Sequence, residues 1–151
     1  MAAGVIGLDQ FSKLWAVETL RQGQIRPLLP GLLQLQRVSN TGAAFSLFSQ
    51  STLMLALVSG AVSLGIILWI LMRPPQRFWP ALALALLLAG AAGNGIDRWR
   101  LGAVIDFLEF VPIHFPIFNL ADIAINAAVA CFLIDLIALP RSSRSHGPDA
   151  R

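Results

Sequence analysis

The sequence predicts an all-α integral membrane protein with four transmembrane helices and a short strand lying at the membrane surface between the first two. Three observations carry that prediction. Hydrophobic residues make up 56% of the 151-residue chain and charged residues only 13%, with a mean hydropathy of +0.71, whereas soluble domains carry about 25% charged residues. Four segments are long enough, at about 1.5 Å per helical residue, to cross a hydrocarbon core of roughly 30 Å. Finally, Leu33-Gln34-Leu35-Gln36-Arg37-Val38 alternates apolar and polar residues, as a half-buried strand does.

The first span covers about residues 1–20 and is the most polar, since it carries Asp9, Lys13 and Glu18. It lacks a basic leading region, and its small residues precede the apolar part, so a retained helix is expected and not a cleaved signal peptide. After the Leu33–Val38 strand, Asn40-Thr41-Gly42 supplies a turn. The second span, 52–72, is almost wholly apolar, and the third, about 79–96, opens on a tryptophan suited to the lipid–water interface. The fourth is 120–139. The tail 140–151, rich in Ser, Arg, Pro and Gly, is expected to be disordered. Residues 1–139 thus form one membrane domain.

An even number of crossings puts both termini on one side. Arg73, Arg77, Arg141, Arg144 and Arg151 crowd a short hairpin and the tail there, while Arg21, Arg26, Arg37, Arg98 and Arg100 spread over two long loops opposite. The positive-inside rule then places the termini in the cytoplasm. The net charge of +3 comes from scattered residues and not from a basic run, which argues against nucleic acid. Cys131 is the only cysteine, excluding a disulfide framework and a cysteine metal site. No glycine-rich phosphate loop and no Gly-x-Ser-x-Gly elbow occur. His114 is the one histidine outside the tail, so a zinc site would need carboxylates for every other protein ligand. No metal or other cofactor is expected.

Five of the eight acids, Asp9, Asp97, Asp106, Asp122 and Asp135, lie in or beside apolar segments, where each ionised group costs a few kcal/mol unless paired or hydrated. Asp9 and Lys13 in DQFSK are four apart on one helical face, and mutual neutralisation is the preferred reading. In GNGIDR, Asn94 and Asp97 lie one turn apart, and Arg98 beside Asp97 is expected to hold that acid ionised, as a strut and not a proton carrier. Asn119 and Asp122 fall at the N-cap and third positions of the fourth span, so Asp122 is open to two readings, capping or chemistry. Asp106, in Val-Ile-Asp-Phe-Leu, has no basic residue within four positions.

Fifteen residues containing Pro112 and Pro116 separate Asp106 from Asp122, which favours a chain that doubles back and lets the two carboxyls meet at the outer boundary. Two such groups share a proton, because like charges a few ångströms apart do not both ionise cheaply. The ionised member can take a proton from water while the protonated one polarises a peptide carbonyl.

Taken in order, DQFSK, NTGAAFSLF, GNGIDR, VIDF and FNLAD resemble the motifs of the bacterial lipoprotein signal peptidases, signal peptidase II, over about residues 7–136. The resemblance implies a four-helix aspartic endopeptidase of the bacterial inner membrane with a small extracytoplasmic β-cradle between helices 1 and 2, to which Leu33–Val38 would belong. It implies cleavage of diacylglyceryl-modified prolipoproteins before the lipidated cysteine, with membrane lipid as surroundings and the enzyme acting as a monomer. It assigns the catalytic pair to Asp106 and Asp122, and substrate-binding or supporting positions to Asp9, Lys13, Asn40, Gly93, Asn94, Asp97, Arg98, Asn119 and Ala121. Two features depart from the family pattern: the chain starts almost directly on its first helix, and the interval between the two aspartates is short.

Two rivals are weighed against this. In an intramembrane protease of the Gly-x-Gly-Asp kind, Gly93-Asn94-Gly95 would have to run directly into the aspartate, but Ile96 intervenes before Asp97. A small ion or proton carrier would use Asp9, Lys13 and Asp135 as a relay near the midplane, yet most of the acids cluster at one boundary.

Overall fold

The computed structural model describes residues 1–42, 51–113 and 115–138; the expected tail, His114 and most of NTGAAFSLF lie outside the described residues. Among the described residues four α-helices and three strands follow one another in the order α1 (Ala2–Thr19), β1 (Ile25–Leu29), β2 (Leu33–Asn40), α2 (Thr52–Met72), α3 (Phe78–Leu101), β3 (Val104–Phe110) and α4 (Leu120–Ala138). Three of the helices, α2, α3 and α4, are long and apolar enough to cross a membrane. Their outward faces are apolar too: Leu57, Leu64, Leu68 and Trp69 of α2 and Leu133, Leu136 and Ile137 of α4 are all exposed, which is tolerable only where the surroundings are not water. The remaining helix, α1, is divided by face. Leu8, Phe11, Leu14 and Trp15 point outward while Asp9 and Lys13 are buried.

The strands form one antiparallel sheet in the order β1-β2-β3. This corrects the expectation of a sheet contained between the first two helices, because β3 arrives from between α3 and α4 to complete it. Asn40 is the last residue of β2, opposite Val104, and its Oδ1 accepts from the Gly42 amide at 2.9 Å, the side-chain bond of an Asx-turn, so the expected turn begins where the strand ends. Leu35 of β2 and Phe107 of β3 pack with Ala16 and Leu20 in a small apolar core, which seats the sheet on the end of α1.

Helix α3 continues past Ile96, where its apolar run ends, to Leu101, and stops at Gly102 in the left-handed region (φ +70°). That reversal directs the chain straight into β3. Where α1, α3 and α4 meet, Gly93 is required for space: a Cβ there would lie 2.6 Å from Asp9 Oδ2 and 3.3 Å from the Ala121 methyl. Gly65 on α2 meets nothing within 4 Å. Gly93→Ala is therefore expected to lower stability by about 1–3 kcal/mol, the usual cost of overpacking, whereas Gly65→Ala should be neutral or slightly stabilising. Thermal unfolding of the two variants in the same detergent checks the contrast.

Candidate active site

The site grows from the polar residues that α1 turns inward. Lys13 is buried, and its Nζ lies 2.9 Å from Asp9 Oδ2, 2.9 Å from Asp97 Oδ2 and 3.0 Å from Asn94 Oδ1. An ammonium has three protons to donate, and all three are used. Asp9 also accepts the Ala121 amide on Oδ1 at 2.9 Å, joining α1 to the first turn of α4. Asp97 accepts the Ile105 amide at 3.2 Å, fixing the strand residue next to Asp106.

The Asp9–Lys13 pairing expected from the helical spacing is present, and Asp97 is a strut as expected, but its cation is Lys13 and not Arg98. Neighbouring residues on a helix point about 100° apart, so adjacency in sequence did not imply contact. Arg98 turns instead toward carbonyls, donating to Gly42 O at 3.1 Å and Asn94 O at 3.5 Å. One participant carries no signal that singled it out: Gln10, whose Nε2 donates to Asp97 Oδ1 at 3.0 Å and to Gly93 O at 3.2 Å. Its position inside DQFSK, beside a buried acid, was the only available hint.

Asn94 and Asn119 carry the network from this hub to the two aspartates, and Asn40 adds a bond to Asp106 from β2. Asn94 Nδ2 donates to Asp122 Oδ1 at 2.8 Å. Asn119 Nδ2 donates both to Asn94 Oδ1 at 3.1 Å and to Asp106 Oδ1 at 2.6 Å. Asn40 Nδ2 donates to the other Asp106 oxygen at 2.9 Å. Asp122 is at the same time the acid of a reciprocal capping box: its amide donates to Asn119 Oδ1 at 3.0 Å, and the Asn119 amide donates to Asp122 Oδ2 at 3.2 Å. The cap holds one Asp122 oxygen and still leaves the carboxyl lining a cavity, so capping does not take the side chain out of reach of chemistry.

Asp106 and Asp122 line one cavity of about 1040 Å³, together with Asn40, Asn94 and Arg98. Its remaining wall is mostly apolar, with Phe110, Phe115 and Phe118 near the strand and Val62, Leu87 and Ala130 farther along the helices. Phe115 and Phe118 meet edge to face at 5.8 Å. Asp106 sits on β3, outside the helices, and is only 3% exposed. Burial pushes its carboxyl up to about 6; the Asp122 charge adds to the rise, while the hydrogen bonds from Asn40 and Asn119 and the Lys13 charge oppose it.

The eleven positions to which the resemblance assigns catalysis, substrate binding or support all fall within this assembly. Gly93 and Ala121 contribute the close packing and the amide that hold Asp9. Asp135, a candidate relay residue of a carrier, lies elsewhere, paired with Arg77 at 2.7 Å where α3 begins and α4 ends. Among the described residues, no group of three or more His, Cys, Asp and Glu side chains is arranged to hold a metal ion.

A family model described as signal peptidase (SPase) II matches residues 1–138. The lipoprotein signal peptidase of Parasynechococcus marenigrum (strain WH8102) is 56% identical over 147 residues, covering 97% of this chain and 92% of that protein. That of Thermosynechococcus vestitus is 43% identical, covering 88% and 86%. Among solved structures, one described as a bacterial membrane enzyme at 2.3 Å resolution superposes with a TM-score of 0.85 at 26% identity, covering 99% of this chain and 92% of that one.

The hub also predicts what its loss does. Lys13→Met leaves the buried Asp9 and Asp97 carboxylates without their cation, a change that costs about 3–5 kcal/mol, and should strongly reduce the folded fraction. Adding Asp97→Asn to that variant removes one of the orphaned charges and should recover part of the loss, which a double-mutant cycle of unfolding free energies measures.

Proposed function

The chain belongs to the signal peptidase II family, and from that premise we propose that it is a membrane aspartic endopeptidase that removes the signal peptide from diacylglyceryl-modified prolipoproteins, with Asp106 and Asp122 as its catalytic pair. The observation that carries the residue assignment is the shared cavity: both carboxyls face it, linked through Asn94 and Asn119, and neither is ion-paired with a cation among the described residues.

In this reading one carboxylate takes a proton from a water molecule as its oxygen adds to the scissile carbonyl, while the protonated partner donates to the carbonyl oxygen. The tetrahedral intermediate then collapses as a proton passes to the departing nitrogen. Arg98 and the asparagines hold the frame, and the aromatic rim lowers the local dielectric and strengthens the electrostatics of the pair. The apolar end of the cavity, between α2, α3 and α4, takes the apolar signal segment, and acyl chain beside it adds about 0.8 kcal/mol for each methylene buried.

Helix α1 completes a set of four spans. Its three charged residues disfavour it by hydropathy alone, but Asp9 and Lys13 neutralise one another inside the bundle, and the face left outside is apolar. Four crossings put the termini together in the cytoplasm and the sheet, with the pair, at the extracytoplasmic boundary of the inner membrane. The carrier reading loses its relay, since Asp9 and Lys13 are locked in one ion pair and Asp135 in another.

Two measurements test the assignment on a lipidated prolipoprotein substrate. Asp106→Asn and Asp122→Asn should each lower the cleavage rate by at least about 10²–10⁴-fold, with membrane insertion and unfolding temperature close to those of the parent; cleavage at the normal rate in either would remove that residue from the mechanism. The pH profile follows from the raised Asp106 pKa. The pair works with one proton, so kcat/KM should fall as the pH rises through the titration of the free enzyme near 6, and kcat should fall at higher pH because bound substrate buries the pair further. Asn40→Ala removes a hydrogen bond that favours the ionised Asp106, so the alkaline limb of kcat/KM should move upward in that variant.

A further inference from the structure

The polar residues that line the cavity include two that the catalytic network does not use: Asn126 on α4 and Ser59 on α2. Asn126 follows Asp122 by four residues, so it lies one turn, about 6 Å, deeper along the helix. Its Nδ2 donates back to the Asp122 carbonyl at 2.9 Å, which fixes the amide plane and leaves Oδ1 with no partner among the described residues. Asn126 is exposed to the cavity and flanked by Ile125 and Ala127, which also line it. On the α2 wall, Ser59 Oγ has no hydrogen-bond partner among the described residues, since the bond between the two serines of α2 runs from Ser63 Oγ to the Ser59 carbonyl at 2.8 Å. An asparagine in an apolar span is costly, and capping one carbonyl of its own helix, already bonded within the helix, does not offset that cost.

The reaction creates a need for these groups. A peptide bond can be attacked only once the helical segment around it has unwound, and unwinding frees main-chain N–H and C=O groups at a depth where no bulk water reaches them. Each needs a partner in the cavity wall. An extended chain rises about 3.3 Å per residue, so a group 6 Å deeper than Asp122 stands level with the second residue before the scissile bond.

We propose that Asn126 is a substrate-binding residue whose Oδ1 accepts the main-chain N–H of the second residue before the cleavage point, with Ser59 Oγ on the opposite wall available to the adjoining carbonyl. The inference rests on the endopeptidase reading above and assigns to that site a register contact with the unwound strand of the substrate. The contact is to main chain, so it fixes how far the substrate is drawn in without selecting a side chain there.

The test uses the full-length enzyme in detergent with a lipidated peptide, and a second peptide in which an ester oxygen replaces that one N–H. On the amide substrate Asn126→Leu, which keeps the volume and removes the acceptor, should lower kcat/KM about tenfold, the size of one hydrogen bond made in the transition state. On the ester substrate the same substitution should cost less than about twofold, because the donor is already gone. Asn126→Gln should restore part of the amide activity, and the pH at which kcat/KM falls should be the same in all variants, since the pair is untouched. Equal losses on both substrates, or no loss on either, overturn the contact. Ser59→Ala, in a helix-compatible position, guards against a packing defect in α4: it should lower amide and ester cleavage alike, and a variant as active as the parent removes Ser59 from the contact. Failure of the unsubstituted enzyme to cleave the amide peptide overturns the endopeptidase reading itself, and this inference with it.

Discussion

The arrangement depends on one buried cation. Lys13 is 3% exposed, and an ammonium at that depth is tolerable only with its hydrogen-bonding capacity filled and its charge answered. Two carboxylates and an amide oxygen do both, and the three come from two different helices. The carboxylates are themselves completed by main-chain amides of Ala121 and Ile105. Four elements, α1, α3, β3 and α4, are therefore fixed relative to one another by the bonds that make the charge affordable. Removing any one partner leaves several others unsatisfied, which gives the cluster its geometric authority over a site it reaches through Asn94.

What reaches the cavity is held by different chemistry. Among the described residues, Asp106 and Asp122 receive their hydrogen bonds from asparagine side chains and from main chain, not from cations. The distinction matters for proton transfer. A carboxylate in an ion pair is held ionised, and its proton affinity is lost to the reaction. Neutral amide donors orient a carboxyl with much less bias between its two protonation states, and burial then favours the protonated one, as the upward shift of Asp106 to about 6 shows. The molecule keeps its ion pairs in the hub and its two amide-bonded carboxyls on the cavity, with Asn94 touching both.

Hydropathy made the three apolar helices legible, and the i, i+4 spacing of Asp9 and Lys13 foretold their bond. The reciprocal cap between Asn119 and Asp122 was equally local, written in four consecutive residues. The sheet was not. Only β2 alternates, over Leu33 to Gln36, before Arg37 and Val38 break the period where the register shifts; β1 carries Arg26 and Pro27, and β3 is apolar apart from Asp106 and Glu109, so neither shows a period of two. The pairing of Val38 with Asp106 joins residues far apart in the chain, and no local pattern encodes it. Gln10 and Asn126 were overlooked for a related reason. An uncharged amide in an apolar helix has no spacing rule, and its importance depends on the neighbours that other helices bring.

The short interval between the two aspartates acquires a physical meaning once β3 is in view. On one side β3 pairs with β2, and on the other the returning chain bridges to it at Leu108 and Phe118. The Phe118 amide donates to Leu108 O at 2.8 Å, and the Phe118 carbonyl accepts from Leu108 at 2.9 Å and from Phe107 at 3.1 Å. This bridge closes the proline-containing loop immediately beyond Asp106 and immediately before Asn119, so the slack between the catalytic candidates is confined to the loop's far end. A longer loop would cost little in closure entropy, and the same bridge would still set the register of the strand. Loop length and site geometry are thereby separated: a change in the length of this loop would leave Asp106, Asn119 and Asp122 in place, because main-chain hydrogen bonds at its base, not the loop, set their spacing.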